Sequence, residues 1–346
     1  MAKLIWVSCN MSSFYPYYVH TLPGLEQVAW LEIRDRLPQA KFREHFFAKD
    51  QNGLVLFEYG GESADLLNLR LVEDSFLMLV APDKLSRGRE DLGLIREVIA
   101  QSGELGRVAN VLTRYRRRPV TSYRVVVRKV GDHQYERKEL EQVVLRAVQS
   151  QYPQWQALAT TGEMEIWVNV LGSRLLMGVR LSVTTPAGTG LPTSVAAAMA
   201  WLSDPAGTDI FLDPLCQSPA ILNERATIGP CQQLLAAEYP PRSGLKLPEW
   251  VVACRWTKEK VSLPAGSVTK IVTQLPTSNP AFYQRFLGEM GRLLRPEGRG
   301  VLLCEDYDQV REAVRQQPNL TILGGYSLAP AGKWLRIYLM KKVETP

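Results

Sequence analysis

At 346 residues, 46% of them hydrophobic, the chain exceeds what one compact core usually holds, so two or three domains are expected. No run approaches the roughly eighteen uninterrupted apolar residues of a membrane-spanning helix. The opening MAKLIWVSCN lacks the long apolar segment and small-residue cleavage site of a secretory signal, which points to the cytoplasm and away from a membrane. Cys9, Cys216, Cys231, Cys254 and Cys304 show no C-x-x-C spacing, and His20, His45 and His133 are scattered, so neither a disulfide framework nor a metal site is expected.

The net charge of +6 is unevenly placed: between Arg107 and Lys138 ten Lys or Arg face two acidic residues, a local excess of eight that leaves the remainder at 6 − 8 = −2. The run Arg114-Tyr115-Arg116-Arg117-Arg118 lies inside it. Such a concentration suits a polyanion, the alternative being a merely solvated basic face.

In chain order, TLPGLEQVAWLEIRDRL opens on a Pro-Gly turn and repeats apolar residues at Leu25, Val28, Ala29 and Ile33, a helical period. GLVLFEY, bounded by glycines, reads as a strand. Residues 66 to 118 alternate short apolar stretches with polar breaks and give no sharp boundary. TSYRVVVRKV is a β-branched strand that turns at Gly131-Asp132 into a helix with apolar Leu140, Val143, Val144, Ala147 and Val148 on one stripe. EIWVNVL and RLLMGVRLSV follow as strands joined at Gly172-Ser173, and Thr184 to Gly190 reads as a linker.

From Leu191 the pattern alternates between strand and helix, as a parallel sheet covered on both faces does. Strands are expected at DIFLD, QQLLAAE, EWVVACR, VTKIVT, RGVLLC, LTILGGYSL and KWLRIYLM, with helices over 193–203, 219–228, 280–294 and 306–316. The last two strands are joined through Ala329-Pro330-Ala331-Gly332, too short for a helix, so they should pair as a hairpin.

Four stretches together resemble the THUMP-domain RNA methyltransferases, in particular those acting on the exocyclic amine of guanine in transfer RNA. Pro23-Gly24-Leu25-Glu26 is similar to the P-G-L-E at the start of that family's small ferredoxin-like domain, and Tyr123 to Leu181 to the THUMP core that grips the acceptor end of transfer RNA. Leu191-Pro192-Thr193 with the alanine-rich segment after it resembles the helix leading into the catalytic domain. Asp213-Pro214-Leu215-Cys216-Gln217-Ser218-Pro219-Ala220-Ile221-Leu222-Asn223-Glu224-Arg225-Ala226 aligns with D-P-x-C-G-S-G-T-I-L-I-E-x-A, the cofactor loop. The resemblance implies an α/β chain in three parts: a ferredoxin-like domain over 1–65, a THUMP-like RNA-binding domain over 66–183, and a Rossmann-like methyltransferase domain with a C-terminal β-hairpin over 187–346. It implies S-adenosylmethionine as cofactor and structured RNA, transfer RNA above all, as partner, with no role for DNA.

By the same resemblance Asp213, Pro214, Cys216 and Ser218 face the cofactor, and Glu238, at the end of the next strand, stands where a carboxylate often binds its ribose hydroxyls. Val272-Thr273-Gln274-Leu275-Pro276-Thr277-Ser278 corresponds to T-N-[LP]-P-[YFW]-G, which makes Gln274 and Pro276 the catalytic positions. Arg292-Leu293-Leu294-Arg295-Pro296-Glu297-Gly298 matches the scaffold turn R-x-L-[RK]-P-G-G. Arg114, Arg116, Arg117, Arg118, Arg128, Lys129, Arg137 and Lys138 are the expected RNA contacts.

The departures fall on the chemistry. Gln217 and Pro219 replace glycines that let the backbone pass close to the cofactor, Gln274 lengthens the amine-orienting amide by one methylene, and Thr277 removes the ring on which the flipped base stacks. An RNA-binding protein with reduced or lost catalysis accounts for every feature; an active methyltransferase with a rearranged cofactor loop is the alternative. A nicotinamide dehydrogenase needs a G-x-G-x-x-G loop after its first strand, and the sequence has none.

Overall fold

The computed structural model describes residues 14–47, 53–80, 85–182, 190–238, 246–257, 260–330 and 333–344. The chain divides into two compact units, one of residues 1–21 and 29–185, the other of 22–28 and 186–346.

The first unit is built on β1 (Tyr15–Thr21), α1 (Glu26–Arg36) from residue 29 on, β2 (Lys41–Phe47), β3 (Gly53–Tyr59), a 3-10 turn (Ser63–Asn68), β4 (Asp74–Val80), α2 (Glu90–Ser102), α3 (Glu104–Arg116), β5 (Ser122–Val130), α4 (Arg137–Gln151), β6 (Gln156–Ala157), β7 (Met164–Leu171) and β8 (Arg174–Arg180). Its strands form one sheet in the order β2-β3-β1-β4-β8-β7-β5-β6. The segment from β5 to β8 is the strand-helix-strand-strand unit expected from the sequence. β5 and β7 pair in parallel from Tyr123↔Met164 to Val130↔Leu171, which obliges α4 to cross over between them, while β7 and β8 pair antiparallel. α4 starts on a capping box in which Glu136 and Glu139 serve each other's orphan amides, and it buries Leu140, Val144, Ala147 and Val148.

β4 pairs with both β1 and β8, so the sheet runs unbroken across residue 65. On one face Tyr18 stacks on Phe76 at 4.5 Å between ring centres, with Leu54, Leu56, Trp167 and Leu176 in the same buried cluster. Gly178 leaves room for that ring: a Cβ there would lie 2.5 Å from Tyr18 Cε1.

The second unit comprises α5 (Thr193–Leu202), β9 (Ile210–Asp213), α6 (Ala220–Ile228), β10 (Gln233–Ala237), β11 (Val251–Cys254), the short β12 (Trp256–Thr257) and β13 (Lys260–Val261), β14 (Val268–Gln274), α7 (Pro280–Leu293), β15 (Leu294–Cys304), α8 (Tyr307–Arg315), β16 (Leu320–Leu328) and β17 (Leu335–Lys342). The main sheet runs β11-β10-β9-β14-β15-β17-β16. β11, β10, β9, β14 and β15 are parallel and β17 lies antiparallel between β15 and β16, so the expected terminal hairpin forms. α7 and α8 cover the face carrying Leu212, Ile271, Leu302, Tyr338 and Met340. The alternate residues Val272, Val301, Leu303 and Ile337 are buried on the opposite face, where α5 approaches β14 and β15.

Within this unit the Pro23 carbonyl accepts from Ala329 N at 3.3 Å, and Gly24, at φ +95°, has no space for a Cβ, which would meet Ser327 O at 1.9 Å. Glu297 takes φ +65° in the turn inside β15, the left-handed region, at a position the resembled turn gives to glycine. Among the described residues no helix is long and apolar enough to cross a membrane.

Candidate active site

The strand order reverses between β9 and β14, so the loops leaving their carboxyl ends diverge around a crevice, the place where open α/β sheets bind ligands. β9 ends on Asp213, which is buried. Its Oδ1 accepts from Thr273 Oγ1 of β14 at 2.5 Å and from Leu215 N at 3.3 Å. Burial outweighs those donors and pushes the carboxyl up to about 7.

The loop beyond is fixed from both sides. The Pro214 carbonyl accepts from Trp256 Nε1 at 2.6 Å. Cys216 N donates to the Ala237 carbonyl of β10 at 3.0 Å, and its Sγ donates to the Ser218 carbonyl at 3.2 Å. Burial raises the Cys216 thiol far above its ordinary value, so it keeps its proton at neutral pH. Glu238 follows Ala237 directly and is half-buried. The structure therefore brings Asp213, Pro214, Cys216 and Glu238 to one edge.

Gln217 and Ser218 are exposed, and Pro219, at φ −74°, precedes α6 with its carbonyl accepting from Asn223 N at 2.8 Å. No residue from 213 to 220 has a positive φ. The loop is thus made without left-handed backbone, and the replacement of glycine at 217 and 219 imposes no conformational strain. What those positions change is the space left beside the backbone.

β14 ends on exposed Gln274, opposite Leu303 of β15, and Leu275 N donates to the Leu303 carbonyl at 2.8 Å. Pro276 is half-buried. The buried Tyr283 of α7 holds the turn that follows: its hydroxyl accepts from Ser278 N at 2.9 Å and lies within hydrogen-bonding distance of the Pro276 carbonyl (3.1 Å) and Asp306 Oδ2 (2.7 Å). Burial and the Asp306 carboxylate push that phenol up to about 12, so it keeps its proton at neutral pH. Thr277 is exposed, with its Oγ1 donating to Glu305 Oε2 at 3.3 Å. Asn279 then caps α7, accepting from Phe282 N at 2.9 Å.

Thr273, Trp256, Tyr283 and Glu305 were not singled out as site residues by the sequence. Only Thr273 carried a signal there, as the first position of the T-N-[LP]-P motif.

In the first unit the basic residues divide by environment. Arg114 at the end of α3, Arg117, Arg118, and Arg137 and Lys138 at the start of α4 are exposed. The Arg116 guanidinium donates to the Glu163 carbonyl, and the Glu163 carboxylate accepts from Thr121 N at 2.6 Å. Arg128 lies over the Trp167 ring at 4.6 Å, and Lys129 Nζ donates to the Tyr135 carbonyl at 2.8 Å.

Comparison with known proteins agrees with this architecture. No family model matches the chain. Human tRNA (guanine(6)-N(2))-methyltransferase THUMP3 is 29% identical over 225 residues, a match that takes in 54% of this chain and 44% of that protein, so the chain spans less than half the length of this relative. TrmN from Thermus thermophilus superposes with a TM-score of 0.77 at 22% identity, over 95% of this chain and 99% of its own. A possible methylase from Clostridium difficile 630 gives a TM-score of 0.69 at 12% identity, over 96% and 99%. The chain is thus homologous over half its length to a tRNA guanine methyltransferase, and its fold is that of the Rossmann-like methyltransferases.

Proposed function

We propose that the protein binds structured RNA, transfer RNA in particular, through a THUMP-like first unit, and that its second unit is an S-adenosylmethionine-dependent guanine-amine methyltransferase whose catalysis is reduced. The observation that carries this reading is the Asp213–Thr273 hydrogen bond, which fixes the cofactor-type loop and the Gln274–Thr277 turn to each other across the switch point. The donor set suits the nucleoside half of the cofactor: the half-buried Glu238, directly after β10, can accept from ribose hydroxyls, and Ser218 offers an exposed hydroxyl. When bound, the cofactor supplies a methyl group activated on a sulfonium. The chain's own part is positional: the Gln274 amide oxygen accepts from the target amine and turns its lone pair toward that methyl.

Catalysis is reduced for two reasons that compound. Gln217 and Pro219 place side-chain atoms beside the stretch of backbone that the cofactor approaches most closely. Gln274 reaches one methylene further than asparagine, and placement errors of about 1 Å cost roughly a hundredfold in rate. A second reading, full activity with a rearranged loop, is favoured by one observation, that residues 213–220 run without strain and Gln217 is exposed.

Two measurements separate them: calorimetry with S-adenosylmethionine, and incorporation of labelled methyl into unmodified transfer RNA followed by nucleoside digestion. The expected result is weak cofactor binding and slow transfer, both improved by Q217G with P219G. Low-micromolar binding with brisk transfer establishes the second reading, and failure to bind a transfer RNA pool at low salt overturns the RNA assignment.

A further inference from the structure

We propose that Trp334 supplies the base-stacking ring that Thr277 cannot. This rests on the guanine-amine reading above and names the residue that would hold the base in that site.

Trp334 is 64% exposed, a large cost for a ring of this size to leave in water, and among the described residues it makes no hydrogen bond or ring contact. Its place is set by strand register. β17 runs antiparallel beside β15 with Arg336 opposite Cys304, so Trp334, two residues earlier, projects past the carboxyl ends of the parallel strands. Gln274 stands at that same edge on β14, the other neighbour of β15. Strand alternation sets Trp334, with Tyr338 and Met340, on the α7 and α8 side of this edge, the side to which the chain leaves β14 through Thr277 on its way to α7.

One carboxylate ties both positions together. Glu305 Oε1 pairs with Lys333 Nζ at 2.5 Å and Oε2 accepts from Thr277 Oγ1 at 3.3 Å. The residue before Trp334 and the residue that lacks a ring are therefore anchored to the same side chain. Tyr307 is another exposed ring on this edge, at 42%, but its backbone is held at the head of α8, where its carbonyl accepts from Tyr338 OH at 3.0 Å. Trp250 is also exposed but precedes β11, at the amino ends of the parallel strands.

The test uses the full chain, unmodified transfer RNA transcripts and labelled S-adenosylmethionine. W334A should lower methyl transfer about tenfold or more, the usual consequence of removing an aromatic platform from a base. W334F should stay within about threefold of the parent and Y307L should match it, with cofactor affinity unchanged in all three. A separate reading needs no turnover: saturating transfer RNA should quench the fluorescence that disappears on W334F substitution, a quench obtained by subtracting variant from parent.

If W334A transfers methyl at the parental rate, or the subtracted quench is absent, the platform assignment is wrong. A larger loss in Y307L than in W334A overturns it as well. If the parent transfers no methyl at all while the subtracted quench is present, the platform stands and the methyltransferase reading falls, so the two failures are distinguishable.

Discussion

Asp213 is a carboxyl whose hydrogen bonds do not offset its burial, and this gives it a pH signature. Its folded value, about 7, lies above the ordinary 3.8. The folded state therefore binds one more proton than the unfolded state between those values, and the stability it contributes at low pH is lost as pH rises through that window. Relative to D213N, the parent's second unit should lose stability from about pH 4 to about pH 7 and run parallel above, as read from urea denaturation at a series of pH values. Parallel curves throughout would show that the carboxylate is stabilised by something other than Thr273 and Leu215 N. T273V removes the 2.5 Å donor and should cost about 1–3 kcal/mol while shifting the window upward. At this scale the sequence was readable wherever the site is a contiguous string, as in 213–220 and 272–278. Tyr283, Trp256 and Glu305 were opaque because each reaches its loop only after a helix, a hairpin or a strand end has packed against it.

Elements were legible in proportion to how one-sided their burial is. β5, β7, β8 and the strands of the second unit's main sheet are framed by turn residues or alternate with helices, and the sequence places them close to where they lie, while the short β12 and β13 went unread. β1 and β4 were missed because both lie in the interior of the sheet, flanked by neighbours on each side; Pro16 to Thr21 and Ser75 to Leu77 are buried in unbroken runs, without the period of two that marks a half-exposed strand. β2 was missed for the opposite reason, since KFREHFF is an edge strand rich in charge. The turn in β15 shows a local choice overruled by the fold. Glu297 holds φ +65° and pairs with Lys341, so E297G should stabilise the second unit by about 1 kcal/mol, less whatever the exposed ion pair contributes. A loss of stability on that substitution would mean the pairing with Lys341 outweighs the backbone strain.

Across the whole molecule the basic residues expected to meet phosphate resolve, among the described residues, into two populations, one exposed and one already bonded internally. Arg114, Arg117, Arg118, Arg137 and Lys138 are exposed, whereas Arg116, Arg128 and Lys129 already serve the first unit. Replacing Arg114, Arg117 and Arg118 together by alanine should reduce the slope of log affinity for transfer RNA against log salt by about 2, with no change in thermal unfolding. R116A should instead lower the unfolding temperature, because it strips the Glu163 carbonyl of its donor. An unchanged salt slope in the triple variant would place the RNA face elsewhere.

The position of β17 between β15 and β16 also governs the order in which the sheet can close. Strands that enter a sheet in the order of synthesis can be zipped up as they emerge. Here β16 is made first and has β17 as its sole neighbour in the sheet. Until β17 is made, Leu320 to Leu328 have no ladder to join and β15 presents an open edge. Until β17 docks, the second unit offers unpaired strand edges to other chains, and in that partly folded state it should be most dependent on chaperones.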